Sequence, residues 1–203
     1  MKVLIVTQYF WPEEFRINDC AAELRARGHE VTVLTGIPNY PKGKVFPGYS
    51  YWRPKHEEYN GVKIVRVPLV PRGQKQAWRL VLNYLSFAVF GSILGPWYCR
   101  GRFDVIFAYE PSPITVGIPA VVIKIIKKIP LIFWVQDLWP ESIAATGFVR
   151  SKFILHYVSA LVSWIYRHCD KILVQSKGFI APVAAQGGDP KNIAYFPNWA
   201  ESF

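Results

Sequence analysis

The chain opens on a short uninterrupted apolar run, Lys2 to Thr7, and runs of the same kind return at intervals that leave room for a helix. A strand buried on both faces has no polar side to show, so it reads as a continuous stretch of Val, Ile and Leu. The later runs are Glu30 to Leu34, Val62 to Val67, Asp104 to Tyr109, Pro130 to Val135, Lys171 to Gln175 and Ile193 to Phe196. Helical segments fall between them. Asn18 stands where it can cap a helix through Arg27, which Gly28 then ends in a left-handed turn. An apolar segment covers Ile114 to Lys128, Ser151 is placed to cap a helix to about His168, and Lys177 to Gln186 forms another before Gly187-Gly188. Strands alternating with helices predict a parallel sheet covered on both faces and joined by right-handed crossovers, a doubly wound Rossmann-like α/β fold. Gly36 to Gly61 follows neither period and reads as a long loop.

The 203 residues fit one domain, and the formal net charge of +10 calls for acidic partners. Zinc-finger spacing, a basic zipper and an RNP-like aromatic strand are all missing from the sequence, which argues against nucleic acid. An anionic membrane or a diphosphate-bearing substrate fits the charge better. Cys20, Cys99 and Cys169 are far apart and form no CxxC pair, so neither a metal site nor a disulfide is expected. A reduced, cytoplasmic compartment follows, and the strand-like N-terminus argues against export.

In open parallel sheets, ligands sit beyond the carboxyl ends of the strands, and three chemically rich segments follow strands here. The first, Gln8 to Arg16, has no glycine, which excludes the dinucleotide fingerprint whose glycines let backbone approach a pyrophosphate. It offers instead aromatic faces for a sugar ring, Trp11 among them, the two carboxylates of Glu13 and Glu14, and Arg16 for a phosphate oxygen. The plain alternative is a solvated surface loop. The second, Glu110-Pro111-Ser112-Pro113, opens the next helix with Ser112 as cap; its amides can meet an anion, although capping alone is the simpler role. The third runs from Gln136 to Ser142. There Asp137 is the candidate catalytic group, able to orient a hydroxyl or act as a base, against the reading that it caps the following turn. Trp139 and Glu141 accompany it, and Glu141 also suits the first turn of a helix. The four histidines form no metal spacing.

Ala77 to Tyr98 carries one charge, Arg79, and approaches the length that spans a bilayer. A span would put the strands before and after it on opposite sides of the membrane, in conflict with one sheet. Two readings stay open, a buried crossover and a helix lying in the lipid interface. Arg72, Lys75 and Arg79 at one end and Arg100 and Arg102 at the other, beside Trp78 and Trp97, match an interfacial helix near anionic headgroups.

The run Lys2-Val3-Leu4-Ile5-Val6-Thr7-Gln8-Tyr9-Phe10 before Pro12-Glu13 resembles the first strand and loop of family-4 glycosyltransferases of GT-B type, and Arg27 to Thr35 looks like their second strand. Pro38-Asn39-Tyr40-Pro41, Gly43-Lys44, Gly48-Tyr49 and the stretch from Trp134 to Ser142 resemble a narrower branch. That branch includes L-fucosamine transferases and related enzymes of capsule, O-antigen and colanic acid synthesis. Phe196-Pro197-Asn198-Trp199 is similar to the segment entering the interdomain linker.

The resemblance implies a retaining transferase that moves a sugar from a nucleotide-sugar to a polyprenyl-diphosphate-linked saccharide at the inner membrane face, without metal or other cofactor. Residues 1–203 would be the acceptor-side domain ending in a linker at about 197–203, with the nucleotide-sugar site in a donor domain absent from this chain. Alone, the chain is expected to be inactive or nearly so. The residues expected to bind substrate around Asp137 are those of the three strand-end segments: Trp11, Glu14, Arg16, Glu110, Gln136, Trp139 and Glu141. Two positions depart from the family: Phe15-Arg16 stands near a common Gly-Gly pair, and Gln136 replaces a common His. Gln hydrogen-bonds a sugar hydroxyl but does not take its proton. The alternative is a non-catalytic membrane-recruiting or regulatory subunit that partners a separate catalytic chain; a sugar-nucleotide epimerase half fits the apolar helix less well.

Overall fold

The computed structural model describes residues 1–50, 56–74, 76–145, 147, 149 and 151–199. Its eight strands form one sheet: β1 (Lys2–Val6), β2 (Glu30–Gly36), β3 (His56–Tyr59), β4 (Val62–Val67), β5 (Val105–Glu110), β6 (Leu131–Val135), β7 (Lys171–Val174) and β8 (Ile193–Tyr195). Their order is β3-β4-β2-β1-β5-β6-β7-β8, and each neighbouring pair is parallel except β3 with β4. The chain builds outward from β1 in one direction through β4, then returns to lay β5 on the other side of β1. Strand order therefore reverses between β1 and β5, where Val6 pairs Leu34 on one side and Ala108 on the other. That junction is where a crevice opens.

The apolar runs became strands within a residue or two of their expected bounds. The long-loop expectation is corrected at one place, because His56–Tyr59 pairs antiparallel with β4. This edge strand is anchored by Arg66, whose side chain is fully buried. Arg66 Nε donates to Glu57 at 2.5 Å, Nη1 to the Gly36 carbonyl at 3.0 Å, and Nη2 to the Trp11 carbonyl. The guanidinium also lies 5.0 Å from the Tyr49 ring centre. A buried charge is tolerated when it is paired and its donors are satisfied, and here the pairing joins β2, β3, β4 and the loop after β1.

The helices are α1 (Arg16–Ala26), α2 (Ala77–Tyr98), α3 (Gly117–Lys127), α4 (Glu141–Ala145), α5 (Lys152–Arg167) and α6 (Ile180–Ala185). Ser151 caps α5 as expected, accepting the Ile154 amide at 3.5 Å. Two other caps are corrected. Helix α1 starts before Asn18, so Asn18 lies inside it and reaches back to hold the preceding loop: Nδ2 donates to the Glu13 carbonyl at 2.7 Å and Oδ1 accepts the Trp11 amide at 3.2 Å. The segment before α3 begins with a 3-10 turn at Ile114–Val116, which neither Pro113 nor Ser112 caps through a side chain.

Helices α2, α3, α5 and α6 pack against one face of the sheet, and α1 against the other. Over β6 the second face is covered by the closing segment. Trp134, fully buried, donates its indole N–H to the Phe196 carbonyl at 3.1 Å and stacks on Trp199 at 6.0 Å. Helix α2 is a crossover from β4 to β5. Its inward stripe, Asn83, Phe87, Ala88, Gly91 and Gly95, is buried. A Cβ on Gly95 would stand 2.8 Å from Leu34 Cδ2 and 3.1 Å from Ile123 Cδ1, so the close approach of α2 to the sheet and to α3 requires glycine there. Both strands that α2 joins lie in one sheet, which excludes a transmembrane course for it. Its outward face is apolar and exposed at Trp78, Leu82, Leu85, Val89, Ile93 and Trp97. The buried-crossover expectation thus describes half of the helix.

Candidate functional site

The loop leaving β1 is held rigidly before it presents any chemistry. Glu13, 2% exposed, accepts the amides of Asn39 at 2.8 Å and Tyr40 at 2.7 Å through Oε1, and that of Phe10 at 3.3 Å through Oε2. It clamps the loop after β1 to the loop after β2. Burial pushes its carboxyl up to about 7, against the pull of those three amides and of Arg66. Its neighbour Glu14 is exposed and turns to the crevice.

Trp11, Glu14 and Arg16 line one cavity of about 690 Å³ with Tyr59 and Tyr109. Trp11 stacks on Tyr59 at 5.0 Å, and Arg16 lies 3.8 Å from Asp19 at the start of α1. These three expected residues are brought together at the carboxyl ends of β1 and β5.

The remaining expected residues gather beyond β5 and β6. The Trp139 indole N–H donates to Asp137 Oδ2 at 3.1 Å, which orients the carboxylate. Glu110 ends β5 fully buried, with neither carboxyl oxygen in a hydrogen bond among the described residues. Burial raises its carboxyl well above the usual range and the Asp137 charge adds to the rise; the nearby amides of Asp137 and Gln136 oppose it from outside hydrogen-bond geometry. Gln136 serves the closing segment: its Oε1 accepts from Asn198 Nδ2 at 2.7 Å, and that same nitrogen reaches Gln175 Oε1 at 2.7 Å. Glu141 is exposed in the first turn of the five-residue α4.

A third group was not expected from the sequence. Asn83 Oδ1 accepts from Gln8 Nε2 at 2.6 Å and from the Tyr9 hydroxyl at 3.2 Å, and its Nδ2 donates to the Val70 carbonyl at 2.7 Å and to Asn39 at 3.3 Å. Around this knot Tyr9, Phe15 and Tyr40 form an aromatic shelf, with Tyr9 and Phe15 stacked at 5.3 Å. Tyr84 and Trp139 meet edge to face at 6.5 Å, which joins α2 to the Asp137 loop. One signal for Asn83 was present: a polar residue inside an apolar helix, four residues before Phe87 on the inward stripe.

The cations expected to flank α2 divide. Arg72 faces the crevice, with its guanidinium 5.0 Å from the Tyr40 ring centre, and its charge opposes the raised values of Tyr9 and Tyr84. Arg72, expected with Lys75 and Arg79 as a flank of an interfacial helix, thus packs against Tyr40. Arg79 and Trp78 stand exposed at the first turns, and Trp97, Arg100 and Arg102 at the far end. Lys75 lies outside the described residues. No group of three or more His, Cys, Asp or Glu is placed to hold a metal ion among the described residues.

An open parallel sheet with a polar, aromatic crevice at its switch point is the architecture of the N-terminal half of GT-B glycosyltransferases. A family model described as "Glycosyl transferase 4-like domain" matches residues 14–199, and the chain belongs to that family. It is 26% identical to WcaI of Escherichia coli K12, which carries the name colanic acid biosynthesis glycosyl transferase, over 99% of this chain and 51% of that protein. Sucrose-phosphate synthase from Thermosynechococcus elongatus shares the fold with a TM-score of 0.64 at 11% identity, over 97% of this chain and 47% of the other. UGT89C1 of Arabidopsis thaliana, solved with UDP, gives 0.56 at 13% identity, over 96% and 52%. The chain spans about half the length of these relatives.

Proposed function

We propose that this chain is the acceptor-binding half of a retaining glycosyltransferase that moves a sugar from a nucleotide-sugar to a polyprenyl-diphosphate-linked saccharide. A second domain, in line with the chain or separate from it, supplies the nucleotide-sugar site. The work is done at the cytoplasmic face of the membrane, in the synthesis of a surface polysaccharide; the name of WcaI, which speaks of colanic acid biosynthesis, supports the polysaccharide part of this reading. The observation that carries the reading is the crevice itself. Trp11, Glu14 and Arg16 line a cavity on one side of the switch point, and Asp137, held by Trp139, stands on the other.

In this reading, aromatic faces and carboxylates at the crevice hold a saccharide, and Asp137 orients the attacking hydroxyl. The leaving diphosphate takes part in removing the proton, so Asp137 acts first by position and charge. Gln136 acts through the closing segment, which it ties to the sheet, rather than as a base.

The test is transfer of a labelled sugar to a prenyl-diphosphate-linked saccharide by the chain alone and by the chain mixed with or fused to a family donor domain. Transfer that appears on adding the donor domain and is lost in Asp137→Asn supports the reading. A second reading, a membrane-recruiting subunit without catalytic residues, is favoured by the exposed apolar face of α2. Vesicle binding together with full transfer by the Asp137→Asn fusion would favour it instead.

A further inference from the structure

A lipid-linked saccharide presents three chemistries in a fixed order: sugar, phosphate, apolar chain. The surface presents their complements in the same order. The crevice at the ends of β1 and β5 comes first, Arg72, Lys44 and Arg79 follow, and the exposed stripe of α2 comes last. Helix α2 leaves the sheet at the crevice end, so its first turns stand between the crevice and the rest of the stripe. The stripe residues Trp78, Leu82, Leu85, Val89, Ile93 and Trp97 recur every three or four positions, on one side of the helix, over roughly 28 Å.

The middle part is built, not a scatter of surface lysines. The Gly73 amide donates to the Gly43 carbonyl at 3.1 Å, and a Cβ on Gly43 would stand 2.0 Å from the Gly73 oxygen. Gly43 and Gly73 both have positive φ, at 67°. This backbone contact brings Lys44, on the loop after β2, beside the start of α2. The stem of Arg79 crosses Gly73, where an added Cβ would meet its Cδ at 2.8 Å, and its guanidinium lies 5.3 Å from the Trp78 ring centre. Between these groups is a cleft of about 540 Å³ lined by Lys44, Val45, Val70, Trp78 and Arg79. An adjoining cleft of about 280 Å³ carries Arg72 toward the crevice. No Asp or Glu is among the described residues lining either cleft. Two cations over an apolar floor suit a phosphate that carries a hydrocarbon chain; a free nucleotide would have no use for the stripe.

We propose that the cleft between Lys44 and Arg79 binds the diphosphate of a prenyl lipid, whose chain lies along the α2 stripe while its saccharide reaches the crevice past Arg72. This inference rests on the acceptor reading above and adds the residues and the path by which the acceptor is held.

Vesicle flotation of the chain tests it, using phosphatidylcholine alone, phosphatidylcholine with phosphatidylglycerol, and phosphatidylcholine with a polyprenyl diphosphate at matched surface charge. The expected result is at least fivefold tighter binding to the prenyl diphosphate vesicles than to the charge-matched ones. Lys44→Ala and Arg79→Ala should each remove most of that preference, with thermal melting reporting that both variants fold. Arg100→Ala with Arg102→Ala, at the far end, should weaken binding to both anionic vesicles alike and keep the preference. Equal binding to the two charged vesicles would overturn the site, as would a preference that survives both cleft variants, or full competition by inorganic diphosphate at the concentration of the lipid. Transfer to a detergent-dispersed acceptor with no lipid preference would sink the site and leave the proposed function standing. A lipid preference without transfer on adding the donor domain would do the reverse.

Discussion

Asn83 accepts a hydrogen bond from Gln8 at 2.6 Å, across 75 positions of sequence, and so fastens the apolar helix α2 to the loop that leaves β1. The same amide reaches the carbonyl of Val70 and the side chain of Asn39. One side chain therefore sets the height of three segments around the crevice.

Asn83→Leu is expected to destabilise the chain although it makes α2 more apolar. The substitution strands buried partners on Gln8, Tyr9 and Val70, and each unsatisfied buried group costs about 1–3 kcal/mol. Urea unfolding should show a lower midpoint at unchanged slope, with a total loss above about 2 kcal/mol. A variant as stable as the parent would mean that the network is not formed in solution.

Stability should also fall as pH rises toward neutral. The Glu13 carboxyl, at about 7 in the folded chain, lies above its ordinary value of 4.5, so folding favours the protonated form. Its favourable contribution is complete below pH 4.5 and is lost as pH rises through about 7. The shift corresponds to about 3 kcal/mol across that window. Glu110 acts in the same direction and is unchanged in Glu13→Gln, so the difference in pH slope between parent and variant isolates Glu13. Identical slopes between pH 4.5 and 7 would refute this assignment.

Arg66→Met is expected to cost about 3–5 kcal/mol, because it leaves Glu57 without its partner and one buried and one half-buried carbonyl unmet. The damage should centre on β3 and the loop after β1. Hydrogen exchange would register it as faster exchange at His56–Tyr59, with β6 and β7 protected as before.

With a donor domain supplied, Asp137→Asn should reduce transfer by about 100-fold or more, in the range of a lost proton-handling or orienting group. Acceptor affinity should change less than about threefold, since the amide keeps the shape and still accepts from Trp139. A loss confined to affinity would make Asp137 a binding residue only.

Trp134→Ala tests the closing segment. It removes a fully buried indole and the partner of Phe196 and Trp199, at about 3–5 kcal/mol. Limited proteolysis should then cut near residues 196–199 at protein concentrations where the parent resists.

Much of the architecture was readable from composition and period because burial on two faces demands it. Helix α2 runs over Ala77–Tyr98 as expected, since an apolar stretch with one charge satisfies its backbone best as a helix, and Gly95-Pro96 near its end does not stop it. Strand β3 was not readable. Its four residues, His56-Glu57-Glu58-Tyr59, carry no apolar pattern and are a strand because β4 offers an edge and Arg66 a counter-charge. Asn18 looked like a cap because caps and loop tethers use the same side chain, and the choice depended on where the loop before it had to go.

The sequence by itself determined the parallel sheet, the crevice at the ends of its strands, and the segments that would line it. Those follow from local periodicity, which each residue carries with it. Tertiary structure alone decided which of two adjacent acids meets the crevice. Glu13 is consumed as a clamp for Asn39 and Tyr40 while Glu14 is left outside, and nothing in the order Glu13-Glu14 distinguishes them. It also decided that Arg72 turns inward to Tyr40 and Arg79 outward to Trp78. The physical reason is common to both cases: a charge takes its role from the partners and solvent around it, and those come from chain segments dozens of residues away.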